Sequence, residues 1–88
     1  MRCQIILDKS SFPKITVEQF NGSDCSGSDS QENRILTTSS AENAIGEIMV
    51  FVDGLMWRKT DNWTISGNDI TLKRKIWNNQ KIDIYYLE

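Results

Sequence analysis

The feature that most restricts the fold is the order of apolar segments and turn signals between Glu47 and Tyr86. Ile48-Met49-Val50-Phe51-Val52 is apolar on both faces, which predicts a central strand. It stops at Asp53-Gly54, a pair suited to a type I′ turn because both central residues there need positive φ. Leu55 to Lys59 is the expected return strand, and Trp63-Thr64-Ile65 leads to a second turn at Ser66-Gly67-Asn68. From Ile70 to Trp77 the pattern alternates, with Ile70, Leu72 and Ile76 inward and Thr71, Lys73 and Lys75 outward, as a half-buried strand requires. Asn78-Asn79-Gln80 forms a third turn, after which Ile82, Ile84 and Tyr86 point one way and Lys81, Asp83 and Tyr85 the other. Turns at this spacing predict an all-β fold: a small antiparallel β-sandwich or partly open barrel of about 6–8 strands.

The N-terminal half, residues 1–46, is patterned less sharply than residues 47–88. Cys3 to Leu7 reads as a short strand closed by Asp8-Lys9-Ser10-Ser11. Lys14 to Phe20 alternates, with Ile15, Val17 and Gln19 on one side and Thr16, Glu18 and Phe20 on the other. Asn21 to Glu32 is Ser, Gly, Asp and Asn with almost no apolar content, hence a loop and the expected mobile part of the chain. A strand at Arg34 to Thr38 follows, then a polar stretch with a helical turn around Ala41 to Ala44. No repeat or linker divides the chain, so residues 1–88 are expected to form one domain. Alternation fixes faces and not neighbours, which leaves the pairing order of the first three strands open.

Composition agrees. Eleven Ile stand against five Leu and two Ala, a bias towards β-formers. Ile, Leu, Val and Phe make 22 of 88 residues, enough to fold. A chain of this length buries only about 60–65% of its unfolded surface. The core is therefore thin, and stabilisation by a partner surface or by self-association is expected.

Charge and residue inventory exclude much chemistry. A net charge of −2 gives no clustered basic footprint for nucleic acid. Lys73-Arg74-Lys75 is the local exception and is read as a solvated strand face. There is no His, which removes the commonest general base and transition-metal ligand. Cys3 in an apolar strand and Cys25 in an acidic loop are poor settings for a thiolate, and both are expected to be reduced. Asp53, Asp61, Asp69 and Asp83 are explained by turns or exposed strand faces. No catalytic, cofactor-binding or metal residues are therefore assigned. The loop carrying Asp24 and Asp29 is oxygen-rich, but its spacing does not fit a calcium loop. The N-terminal apolar run is too short for a secretory core or a membrane span, so synthesis in a cytoplasm and no membrane partner are expected. Asn62-Trp63-Thr64 and Asn21-Gly22-Ser23 are read as chance matches to the glycosylation pattern.

What remains is surface. Of three tryptophans, Trp63 shares a face with Ile65 and belongs to the core, while Trp57 and Trp77 are candidates for exposure. With Tyr85, Asp24 and Asp29 they form the candidate interaction surface; Asp53, Gly54 and Gly67 are structural turn positions. Trp57 and Trp77 suit either packing in an assembly or a platform for a cell-surface glycan.

Phe51-Val52-Asp53-Gly54, then Asp61-Asn62-Trp63-Thr64-Ile65-Ser66-Gly67, Asp69-Ile70-Thr71-Leu72 and Ile82-Asp83-Ile84-Tyr85-Tyr86, is similar to a pattern in tail-fibre and related virion proteins of tailed bacteriophages. The likeness covers Glu47 to Tyr86. It implies a non-enzymatic structural β domain on the virion, working with other virion proteins in a symmetric homo-oligomer. At this length a decoration protein, a fibre anchor or a head-to-tail adaptor fits better than a whole fibre. The alternative expectation is a carbohydrate-binding β module that recognises a cell surface.

Overall fold

The computed structural model describes residues 14–88, which contain seven strands and two short 3-10 turns. The strand expected at Cys3 to Leu7 lies outside the described residues. The strands are β1 (Ile15–Asn21), β2 (Arg34–Thr37), β3 (Met49–Val52), β4 (Leu55–Trp57), β5 (Trp63–Ser66), β6 (Asp69–Leu72) and β7 (Lys81–Leu87). They form two antiparallel sheets, β1-β7-β3-β4 (sheet I) and β2-β6-β5 (sheet II), and the fold is a small all-β sandwich.

Hairpin chemistry places β3 to β6. Asp53 and Gly54 have φ of 52° and 83°, the two positive values a type I′ turn needs, and Val52 pairs with Leu55 across them. Gly67, with φ of 61°, opens the two-residue turn between Ser66 and its partner Asp69. β7 then lies between β1 and β3, joining the first and last described strands in one sheet.

The core takes alternate residues from both sheets. Val50, Val52, Ile82, Ile84 and Tyr86 from sheet I meet Leu36, Trp63, Ile70 and Leu72 from sheet II, with Cys25, Ala41 and Ile76 closing the ends. Trp63 is fully buried, as expected, and its indole N–H donates to Trp57 O at 3.0 Å. Full burial stabilises each large aliphatic side chain by roughly 1.5–3 kcal/mol.

Three expectations need correction. The strand read from Ile70 to Trp77 ends at Leu72, because Asn62 takes over there: its carbonyl accepts from Lys73 N at 2.8 Å and its side chain accepts from Arg74 Nε at 3.1 Å. Lys73-Arg74-Lys75 is thus an exposed connection and not a strand face, although Ile76 beyond it is buried and bridges Gln31. The return strand stops at Trp57, short of Lys59.

The third concerns the loop from Asn21 to Glu32. It is irregular, as its composition predicts, yet it is tied down along its length. Gly22, Ser23, Ser26 and Ser30 donate backbone bonds to Gln80, Asn78, Ile35 and Ile76. Arg34, 2% exposed, binds the loop from below: Nε to Ser26 O at 2.7 Å, Nη1 to Ile76 O at 2.8 Å and Nη2 to Cys25 O at 3.2 Å. An Arg is rarely buried without partners, and here three carbonyls supply them.

Candidate interaction surface

The outward faces of the two sheets differ in kind. On sheet II they carry Ile35, Thr71 and Thr64 in one row and Thr37, Asp69 and Ser66 in the next, a mostly polar surface. Sheet I follows the same alternation with other residues. Inward positions of β1 are Thr16, Glu18 and Phe20, so Ile15 and Val17 project outward and are 69% and 44% exposed.

Register assembles these into rows. Ile15 stands beside Leu87; Val17, Tyr85 and Met49 form the next row; Gln19, Asp83, Phe51 and Met56 form the third; Asn21 and Lys81 close the sheet. Cross-strand neighbours on one face lie about 5 Å apart, so the apolar members are contiguous. Phe51 and Tyr85 make an edge-to-face contact with centroids 5.4 Å apart. The surface grades from apolar at the Ile15–Leu87 end to polar at the other, where Lys81 Nζ donates to Asn21 Oδ1 at 3.0 Å. A contiguous exposed apolar patch with a polar rim marks a contact site.

β1 is an edge of sheet I. Lys14 and Glu88 exchange both backbone bonds, which fixes the ladder phase: the even residues of β1 bond to β7, while the N–H and C=O of Ile15, Val17 and Gln19 point away from it. Among the described residues no backbone group meets them.

Beneath this edge lies a polar cluster. The Tyr86 hydroxyl donates to Glu18, which also accepts from Ser39 N at 3.0 Å. Ser40 Oγ sits 3.0 Å from that hydroxyl and donates to Glu88 at 3.1 Å, and Thr16 Oγ1 donates to Glu88 at 2.6 Å. Burial, and then the bond to the Glu18 carboxylate, pushes the Tyr86 phenol above its ordinary value. The Thr16 and Ser40 hydroxyls hold Glu88 below the usual carboxylate range. The cluster fixes β1 to the loop after β2 and gives Glu18 an internal set of partners.

The residues singled out from sequence are dispersed. Tyr85 belongs to the apolar face. Trp57 lies half-buried on edge strand β4, on the core side opposite Val50. Trp77 is 45% exposed in the connection from β6 to β7, with its carbonyl oxygen against Gly22 just after β1. Asp24 accepts from Asn21 N at 2.8 Å and caps the 3-10 turn after β1, while Asp29 accepts from Asn78 N at 2.8 Å and ties its loop to the turn before β7. Asp53 accepts from Lys81 N and Gln80 Nε2, which lowers its pKa and fastens the β3–β4 turn to β7. Cys25 is a buried free thiol; burial raises its pKa against the opposing effect of Arg34. Among the described residues no His, Cys, Asp and Glu side chains group as a metal site, and no helix is long and apolar enough to cross a membrane.

Sequence reading singled out only Tyr85 of this face. The signal was present in the odd positions Ile15 and Val17 of β1 and in the two-sided apolarity of β3. Comparison of the chain with protein-family models, curated proteins and solved structures finds no match.

Proposed function

We propose that this chain is a non-enzymatic structural domain that works through protein–protein contacts, with the outer face of sheet I as its contact surface. The observation that carries this reading is the contrast between the faces: Ile15, Val17, Met49 and Met56 are exposed in adjacent rows on sheet I, where the outer face of sheet II has Ile35 alone among Thr, Ser and Asp. Alternation alone would have allowed a polar outer face on both.

The order of segments from Glu47 to Tyr86 supports placing the domain among virion proteins of tailed bacteriophages, as a decoration protein, fibre anchor or adaptor. Its partner is then another virion protein whose apolar surface covers rows Ile15–Leu87 and Val17–Tyr85–Met49. The carbohydrate reading has less support, because Trp57 lies half-buried on the core side of β4.

Particles banded from a producing lysate and washed in high salt test this. Quantitative mass spectrometry is expected to find the chain at a fixed copy number, and a folded Met49→Lys variant is expected to be lost from the particles. Absence of the wild-type chain from washed particles would overturn the assignment.

A further inference from the structure

We infer that the corner between β4 and β5 is a docking site for an acidic segment of a partner protein, one that sets an apolar side chain among its carboxylates. The inference goes beyond the contact reading of the sheet face and does not depend on it.

Half of the Lys and Arg residues meet at this corner. Arg58 and Lys59 follow β4, and Lys73, Arg74 and Lys75 follow β6. The two groups are far apart along the chain, and Asn62 brings them together. Its carbonyl accepts from Lys73 N at 2.8 Å and its side chain from Arg74 Nε at 3.1 Å, while Lys73 Nζ donates to Thr60 O at 2.8 Å. A chain with a net charge of −2 thus carries a local positive field, which steers an acidic partner to this end.

These cations are not used up by the fold. Among the described residues, Arg58–Asp61 is the one ion pair they make, at 3.8 Å with side chains 82% and 61% exposed. So open a pair contributes little, and a partner carboxylate can replace Asp61 at small cost. Residues 1–13 do not supply the missing anions, because Asp8 is their one carboxylate and Arg2 and Lys9 outnumber it.

Apolar surface lies amid the charge. A groove of about 540 Å³ runs along the end of β4, lined by Met49, Met56 and Trp57, with buried Trp63 beneath and Arg58 and Lys59 at the rim. Lys59 Nζ is 5.8 Å from the centre of the Trp63 ring, a cation–π contact that holds its charge beside the groove. The turn carrying both cations is preformed. Thr60 N donates to Trp63 O at 2.6 Å and Asn62 N to Arg58 O at 2.8 Å, so binding does not have to order it. Methionine side chains adapt to apolar partners of differing shape. This combination favours a peptide over a bare polyanion. Nucleic acid calls for unbroken cationic rows, whereas Glu47 and Asp61 interrupt this rim and leave single cations around an apolar floor.

Fluorescence anisotropy with labelled synthetic peptides tests the site. A short peptide of Glu and Asp around a central Leu-Phe pair is expected to bind at least about tenfold tighter than the same peptide with Ser-Ser at its centre, and than a counterpart with Lys for every acid. Arg58→Glu combined with Lys59→Glu is expected to keep the far-UV spectrum and weaken binding by about tenfold or more. In the wild-type chain the Met49 and Met56 methyl signals are expected to shift as peptide is added; bound peptide with both signals unmoved overturns the site. Equal affinity for the Ser-Ser peptide, or tighter capture of a single-stranded oligonucleotide or a sulfated polysaccharide, overturns the peptide reading in favour of a polyanion. No binding of the acidic peptide at millimolar concentration overturns the proposal outright, and leaves the particle experiment standing because no particle enters this assay.

Discussion

Replacing Arg34 by Met keeps the volume and apolar stem of the side chain but removes its guanidinium, and should rank among the most damaging single changes in this domain. The guanidinium donates to Ser26 O, Ile76 O and Cys25 O from a site 2% exposed. These carbonyls do not suffer equally. Ile76 O keeps the Ser30 N–H at 2.8 Å, and Ser26 belongs to an exposed stretch where water can replace a donor. Cys25 O, beside a buried residue, has no substitute. Hydrogen bonds to a charged group contribute about 1.5–3 kcal/mol each, and an orphaned buried carbonyl costs about 1–3 kcal/mol. One full loss and two partial ones come to about 3 kcal/mol. A domain of this size has total stability on the order of 5 kcal/mol, so Arg34→Met should lower the melting temperature by about 15 °C. Urea unfolding followed by tryptophan fluorescence gives the free energy. Hydrogen exchange should show protection lost first at Ser26 and Ser30, the amides that tie the loop to Ile35 and Ile76. A loss below about 1 kcal/mol with unchanged loop protection would mean that the apolar stem, and not the three bonds, holds the loop.

Gly22→Ala should fail for a steric reason, because a Cβ there would lie 1.9 Å from the Trp77 carbonyl oxygen; thermal melts are expected to show a loss of at least about 2 kcal/mol. Thr60 holds a φ of 75°, costly for a β-branched residue, so Thr60→Gly should gain about 1 kcal/mol in urea titration. The depressed pKa of Glu88 adds stability above its ordinary value of 4.5, which is lost as pH falls through the lower folded value. Thr16→Val removes its largest cause, so the Glu88 midpoint followed by NMR should move up towards 4.5, and an unmoved midpoint would reject that bond.

The hairpin half was legible because local rules and tertiary structure agree there. Asp53-Gly54 takes the conformation its residue types favour, and Ile82, Ile84 and Tyr86 face the core as their spacing requires. Reading failed where a distant residue decides. Alternation continues through Lys73 and Lys75, but Asn62 captures the chain after Leu72, and no local pattern contains that bond. Likewise a Ser- and Gly-rich stretch looks mobile until Arg34, beyond its end, is found to hold it. Arg at the start of a strand is ordinarily a surface residue, so its burial had no signal in the sequence.

The apolar outer face was visible in the sequence and read as something else. Two-sided apolarity in Met49–Val52 predicts a strand with neighbours, and β3 indeed lies between β7 and β4. Being central within a sheet does not cover the outward side chains, which need a further layer that the two sheets of the described residues do not supply. Met49, Met56 and Val17 remain 40–61% exposed. Burying a large apolar side chain completely is worth about 1.5–3 kcal/mol, so covering three that are half exposed returns roughly 3 kcal/mol before association costs. That is comparable with the whole stability of a thin-cored domain. A partner on this face therefore acts on the fold as well as on assembly. Apparent melting temperature should rise with partner concentration, or with the concentration of the chain itself where a second copy is bound.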